Sequence, residues 1–151
     1  MKFRMVINAL PVFLLATSAL VSPAAAATCE SLVDFKLTDS KITAAQSMPA
    51  GAYKAADGKE YTNLPAFCRV AVAAHPTRDS NILFEVWLPS AGWNGKFISH
   101  GNGGFAGSIA FAAMADTLKS GYASASTDTG HTGGDGTFAL GHPEKIIDFG
   151  Y

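Results

Sequence analysis

The chain is 151 residues long and carries 11 Lys and Arg against 12 Asp and Glu, a formal charge of −1, with only 15% of its residues charged. That balance excludes a basic nucleic-acid binder and an acidic disordered tail. With 48% apolar and 11% aromatic residues, the chain can bury the core of one packed domain and no more.

Lys2 and Arg4 make a short basic start, Met5 to Val21 is almost wholly apolar, and Ser22-Pro23 leads into Ala24-Ala25-Ala26-Ala27. These three zones read as a secretory signal peptide over residues 1–26, with an apolar run short for a membrane span. Its removal leaves 9 basic against 12 acidic residues and a charge of −3 on a mature chain of residues 27–151. Cys29 and Cys68 do not form a C-x-x-C pair, which argues against zinc fingers and thioredoxin chemistry. In an exported chain, two cysteines most simply pair with each other.

Past the leader, Cys29 to Phe35 suits a short helical turn, and Leu37 to Ala45 suits a strand ending at the Pro49-Ala50-Gly51 turn. Tyr53 to Asn63 is polar and reads as a surface loop. Phe67 to His75 and Ile82 to Leu88 are strand candidates, and the turn residues Pro76 to Asn81 between them predict an antiparallel hairpin. In the second strand, Ile82, Phe84, Val86 and Leu88 share one face by period two. Lys96 to Ser99 is a third short strand after the Pro89 to Gly95 turn. Ser108 to Ser120 predicts a helix, with Phe111, Ala115 and Leu118 on one face and Gly121 placed to end it. Tyr122 to Thr127 is a strand of small residues, followed by a loop from Asp128 to Gly136. Pro143 suits the first position of a final helix through Phe149. A hairpin followed by strand, loop, helix and strand is the opening of an α/β sheet with a parallel crossover, incomplete because the last helix leads into no strand.

The sharpest local motif is Ser99 to Gly107, a glycine-rich run between a strand and a helix. It lacks the Gly-Lys-Ser/Thr ending of a Walker A loop, and its G-x-G-x-x-G match at Gly101 ends in Ala106. The run resembles the His-Gly-Gly-Gly loop of α/β-hydrolase esterases, whose freed backbone N–H groups face an ester oxyanion. A tight glycine turn without a ligand is the alternative. Asp128-Thr129-Gly130-His131 follows at the carboxyl end of the next strand, where open α/β sheets place ligands. Asp128 and His131 either line a substrate site or form a structural hydrogen-bonded pair. His75 and His142 precede prolines and read as turn residues, and Trp87 and Trp93 as core or loop packing. No G-x-S-x-G elbow is present, and Ser108 has Ala106 where the elbow glycine belongs. Cysteines bonded to each other suit no nucleophilic role.

Taken together, Leu64-Pro65-Ala66-Phe67-Cys68-Arg69-Val70, Phe84-Glu85-Val86-Trp87-Leu88-Pro89, Trp93-Asn94-Gly95-Lys96-Phe97, the Gly101 to Gly107 run and Gly121-Tyr122-Ala123 with Thr127-Asp128-Thr129-Gly130-His131 resemble the tannase and feruloyl esterase family. The match spans essentially the whole mature chain. It implies a secreted or periplasmic serine esterase of α/β-hydrolase fold, acting on small aromatic esters of phenolic acids, with no nucleic-acid partner and no membrane after signal cleavage. The family's Cys-Ser-x-Gly-Gly elbow, its later Asp and His, and a lid domain with a calcium site are expected beyond Tyr151. Residues 27–151 are thus expected to be the N-terminal part of the catalytic domain, holding no catalytic triad residue, metal or cofactor and inactive alone. What carries over is an oxyanion hole at Gly103 and Gly104 and a disulfide between Cys29 and Cys68. The competing reading is a secreted, non-catalytic binding or structural module. A nucleotide-binding α/β protein is disfavoured by the export signal and the missing phosphate-loop lysine.

Overall fold

The predicted hairpin is the centre of the sheet. The computed structural model describes residues 27–150, and the signal peptide read at 1–26 lies outside the described residues. Strands β1 (Ser40–Met48), β2 (Gly51–Lys54), β3 (Glu60–Leu64), β4 (Phe67–Ala74), β5 (Ile82–Pro89) and β6 (Phe97–His100) are followed by helix α1 (Phe111–Lys119), strand β7 (Ala123–Thr127) and helix α2 (Pro143–Gly150). One mixed sheet has the order β1-β4-β5-β7-β6, and β2-β3 form a separate two-stranded ribbon. Strands β4 and β5 pair antiparallel from Phe67 opposite Pro89 to Ala74 opposite Ile82, while β6 and β7 run parallel across the α1 crossover. A parallel pair needs such a crossover, and the helix covers one sheet face as a result.

That face holds the main core. Helix α1 buries Phe111, Met114, Ala115 and Leu118, the stripe read from the sequence with Met114 added. They pack with Phe67, Trp87 and Leu64. Trp87 is fully enclosed, 4.8 Å from the Phe67 ring and edge-on to Tyr53 at 5.5 Å. Each such large side chain contributes about 1.5–3 kcal/mol through removal of apolar area from water. Gly121 ends α1 as expected: at φ +78° it donates its N–H to the Leu118 carbonyl, and a Cβ there would sit 2.9 Å from the Gly92 carbonyl oxygen.

The opposite face is thinner. Ile42, Val70 and Val72 are buried there, and Phe84, Val86 and Leu32 pack against them half-covered. Leu32 arrives on the expected N-terminal turn, a 3-10 helix over Glu30–Asp34. A disulfide between Cys29 and Cys68, Cα atoms 5.5 Å apart, ties that turn to β4. Glu30 adds a second tie by accepting the Ser47 N–H at 2.9 Å, and hydrogen bonding from the Ser47 side chain, its own backbone and that N–H holds its carboxyl below the usual carboxylate range.

The structure corrects four readings. Tyr53 to Asn63 is no surface loop: it contributes the ribbon β2-β3, whose Tyr53, Tyr61 and Leu64 pack on the α1 core. The first strand begins at Ser40 rather than Leu37 and runs on to Met48. Helix α1 begins at Phe111, three residues later than the pattern predicts, because Ala110 holds a non-helical backbone (φ −81°, ψ 61°) with its N–H on the Ser126 Oγ. The face of β5 read as apolar, from Ile82 to Leu88, is only half-buried, and the deepest residues of that strand are Glu85 and Trp87.

Candidate active-site loop

Because β6 and β7 are parallel neighbours, their carboxyl ends open side by side. From one end leaves the glycine run, from the other the Asp128–His131 turn. The sequence of the run gives it no side chains with which to fold on itself, so its shape is imposed from the turn across the way. Asn102 donates its side-chain amide to the Thr127 carbonyl at 2.7 Å. His131 bonds the Phe105 carbonyl through Nε2 at 2.9 Å. The Gly107 N–H donates to the Gly133 carbonyl at 2.8 Å. Gly103 and Gly104 lie between the first two of these ties.

The two central glycines face open space. An added Cβ at Gly103 or Gly104 would meet nothing within 4 Å, and Gly104 adopts φ +61°, a conformation that favours glycine. Neither N–H has an acceptor among the described residues. A cleft of about 560 Å³ opens beside them, lined by Gly101, Asn102, Gly104, Thr127, Thr129 and Phe149 among others. Gly107 is different: a Cβ there would collide with the His131 carbonyl and come within 2.7 Å of its imidazole. Close approach requires glycine at 107, whereas the space around 103 leaves room for a ligand.

The Asp128–His131 turn is built from backbone satisfaction. Asp128 is buried, and its Oδ1 accepts the Leu83 and Gly130 N–H groups at 2.8 and 2.9 Å. Burial raises its pKa, and those two bonds work against the rise. Thr129 takes φ +57°, which is strained for a β-branched residue and costs about 1–3 kcal/mol. Its N–H bonds the Thr127 Oγ1 at 3.0 Å and its hydroxyl the Asp128 carbonyl at 2.6 Å. The paired reading of Asp128 and His131 does not hold at the side-chain level. The carboxylate is occupied by backbone N–H groups, and the imidazole reaches across to the glycine run.

Neither residue lines the cleft. His131 sits behind the loop, stacked on Phe138 at 3.7 Å, and Asp128 borders a second hollow of about 250 Å³ together with Gly107 and Ile109. His75 and His142 are turn residues as read: the first bonds the Ser80 carbonyl, the second Asp79. Trp93 is exposed and closes its own turn by donating to the Lys96 carbonyl at 2.8 Å. Among the described residues no serine hydroxyl bonds an imidazole, and no His, Cys, Asp or Glu group could hold a metal ion. The sequence reading had passed over Asn102, Phe105 and Gly107 as tie points. The one available signal was an amide side chain flanked by glycines, which has little to do in a loop unless it bonds backbone.

A family model described as tannase and feruloyl esterase matches residues 68–151. The chain belongs to that family. It is 46% identical over 134 residues to an uncharacterized esterase of Xanthomonas campestris, covering 87% of this chain and 23% of the relative. A probable feruloyl esterase B-1 of Aspergillus fumigatus is 40% identical over 85 residues, 56% of this chain and 16% of its own length. The crystal structure of feruloyl esterase B from Aspergillus oryzae superposes with a TM-score of 0.73 at 34% identity, over 82% of this chain and 25% of that one. The mixed α/β fold is thus that of the tannase and feruloyl esterase family. This chain spans about a quarter or less of the relatives' lengths.

Proposed function

We propose that this chain supplies the oxyanion-binding loop of an exported serine carboxylesterase acting on esters of phenolic acids. The observation that carries the reading is the pair of unengaged N–H groups at Gly103 and Gly104, pinned on either side and set at the carboxyl ends of two parallel strands. When a nucleophile adds to an ester carbonyl, its oxygen gains a full charge and moves out of the carbonyl plane. Fixed N–H donors aimed at that position need not reorganise, and each typically lowers the barrier by about 3–4 kcal/mol. Bare glycines admit the acyl group close to the backbone. The relatives named as feruloyl esterases point to phenolic acyl groups. The disulfide suits an oxidising compartment, the medium or the periplasm, after cleavage before Ala27.

The serine, aspartate and histidine of the reaction are placed beyond Tyr151, in the elbow and later segments that the resemblance implies. The 151-residue chain by itself therefore gives no turnover. The test uses the protein at its full encoded length, assayed on methyl ferulate and methyl gallate, with N-terminal sequencing of the exported form. Hydrolysis blocked by a serine-directed organophosphonate supports the reading. A folded, exported protein that hydrolyses neither ester nor a chromogenic butyrate overturns it.

A further inference from the structure

We infer that His131 is a positioning residue for the glycine loop, setting the Gly103 and Gly104 N–H groups through the Phe105 carbonyl; the inference rests on the esterase reading above. A carbonyl oxygen can only accept, so the 2.9 Å contact assigns a proton to the Nε2 of His131. Nδ1 is buried and has no partner among the described residues. One ring face is covered by Phe138, parallel within 10° at 3.7 Å, and Phe149 stands edge-on at 5.6 Å. Among the described residues, one nitrogen is engaged by backbone and the other enclosed, an arrangement that suits a fixed donor rather than an acid or base. What its packing does achieve is a donor held at one point in space.

That point matters because of what the loop lacks. Between Asn102 and Phe105 there is no side chain to hold the two glycine peptides, and the only loop-internal backbone bond runs from the Ala106 N–H to the Gly103 carbonyl at 3.2 Å. Besides that bond, which holds the Gly103–Gly104 peptide through its carbonyl, the segment is anchored at its two ends, by Asn102 on Thr127 and by Phe105 on His131. The absent side chain at Gly107 lets the imidazole come this close, since a Cβ would stand 2.7 Å from its Nε2. The turn and the loop thus form one unit, with His131 as the pin on the Phe105 side. Removing the pin frees the Phe105–Ala106 peptide to rotate and so loosens the loop on the Gly104 side.

The test compares His131→Leu, which removes the donor, with His131→Gln, whose amide can replace it, in the protein at its full encoded length. For His131→Leu the expected result is a kcat on methyl ferulate about 10²-fold lower, the typical consequence of a misplacement near 1 Å, with KM nearly unchanged. Affinity for benzeneboronic acid, which forms a tetrahedral adduct, should fall in parallel, and His131→Gln should recover most of both losses. Phe138→Leu, which loosens the ring but keeps the bond, should give a smaller kcat loss of the same kind, and it decides the matter if His131→Leu does not fold. A ¹⁵N measurement of the ring should find the proton on Nε2. The inference is overturned by an Nε2 that carries no proton, by Leu and Gln variants that lose activity equally, or by losses that follow only the folded fraction. A wild-type protein without esterase activity overturns the functional reading and this inference with it, whereas an active wild type with an unaffected His131→Leu variant overturns this inference alone.

Discussion

Trp87 donates its indole N–H to Glu85, two residues earlier on the same face of the same strand, at 2.8 Å. Both side chains are buried, Trp87 against Phe111 of α1 and Tyr53 of β2. Glu85 also pairs with Arg69 on the adjacent strand, and Arg69 reaches on to Gln46 and lies over the Tyr53 ring. Burial opposes the Arg69 charge, but the bonds to Glu85 outweigh it and hold the guanidinium above its ordinary pKa. One carboxylate thus satisfies a buried indole and a largely buried guanidinium at once.

Glu85→Ala should therefore be among the most destabilising single changes in the chain. It leaves Arg69 partly buried without its counter-charge and the Trp87 N–H without an acceptor, a loss of about 3–5 kcal/mol for a broken buried pair. Glu85→Gln keeps an acceptor for Trp87 and should cost less. Thermal unfolding of the two variants beside the wild type checks the order. An Ala variant with an unchanged melting temperature would show that the cluster is not needed for the fold.

The same cluster shows what could be read from the residues and what could not. The β4-β5 hairpin was legible because Pro76 to Asn81 supply turn chemistry between two apolar runs. The stripe on α1 was legible because helical spacing is local. Which residues of β5 go deepest was not: Ile82, Phe84, Val86 and Leu88 look like the apolar face, yet the buried residues are Glu85 and Trp87, with Trp87 in the core that α1 covers. Burial there is decided by a helix that follows in sequence, and Glu85 is tolerated only because Arg69 comes from another strand. The β2-β3 ribbon was missed for a similar reason, since Tyr53 and Tyr61 are isolated among polar residues until they pair across the turn. At the candidate site the glycine run stood out by composition, but its ties to Thr127 and His131 join residues 25 and 26 positions apart and follow no local period.

The Cys29–Cys68 bond should be found between the corresponding peptides under non-reducing mass spectrometry of the exported protein. It closes a loop of sequence separation 39. In the chain-entropy model a loop of about 40 residues is worth roughly 4 kcal/mol, less any native strain. The Cys29→Ser, Cys68→Ser double variant should unfold at correspondingly lower temperature, and the wild type in reductant should match it. Free thiols on both residues in natively exported protein would contradict the pairing.

Gly107→Ala should be harmful where Gly101→Ala is not. The added methyl at 107 meets the His131 carbonyl and imidazole, and backbone cannot yield as a flexible side-chain end can. At 101 the methyl meets nothing within 4 Å. Overpacking of this kind costs about 1–3 kcal/mol. Because the strain falls on the loop–turn unit, Gly107→Ala should also raise hydrogen exchange at the amides of Gly103 to Phe105. Equal exchange in both alanine variants would separate the loop from the turn.

Gly103→Val and Gly104→Val test the proposed oxyanion loop. A Cβ at either position meets nothing within 4 Å, so both variants should fold and keep the disulfide, with Gly104→Val destabilised additionally by its φ of +61°. On that proposal, a valine at 103 would fill the open space beside the N–H groups that is assigned to the ester oxygen. Because those donors act mainly when the carbonyl becomes tetrahedral, kcat should fall far more than KM rises. The typical loss for one such donor is about 10²–10³ in rate. Phe105→Leu should be milder, because Phe105 contributes its backbone carbonyl to the His131 bond and keeps that carbonyl in the variant. A Gly103→Val enzyme with near-normal kcat would place the oxyanion donors elsewhere. A Gly103→Val variant that fails to fold would return the loop to a purely structural turn, despite the open space the glycine faces.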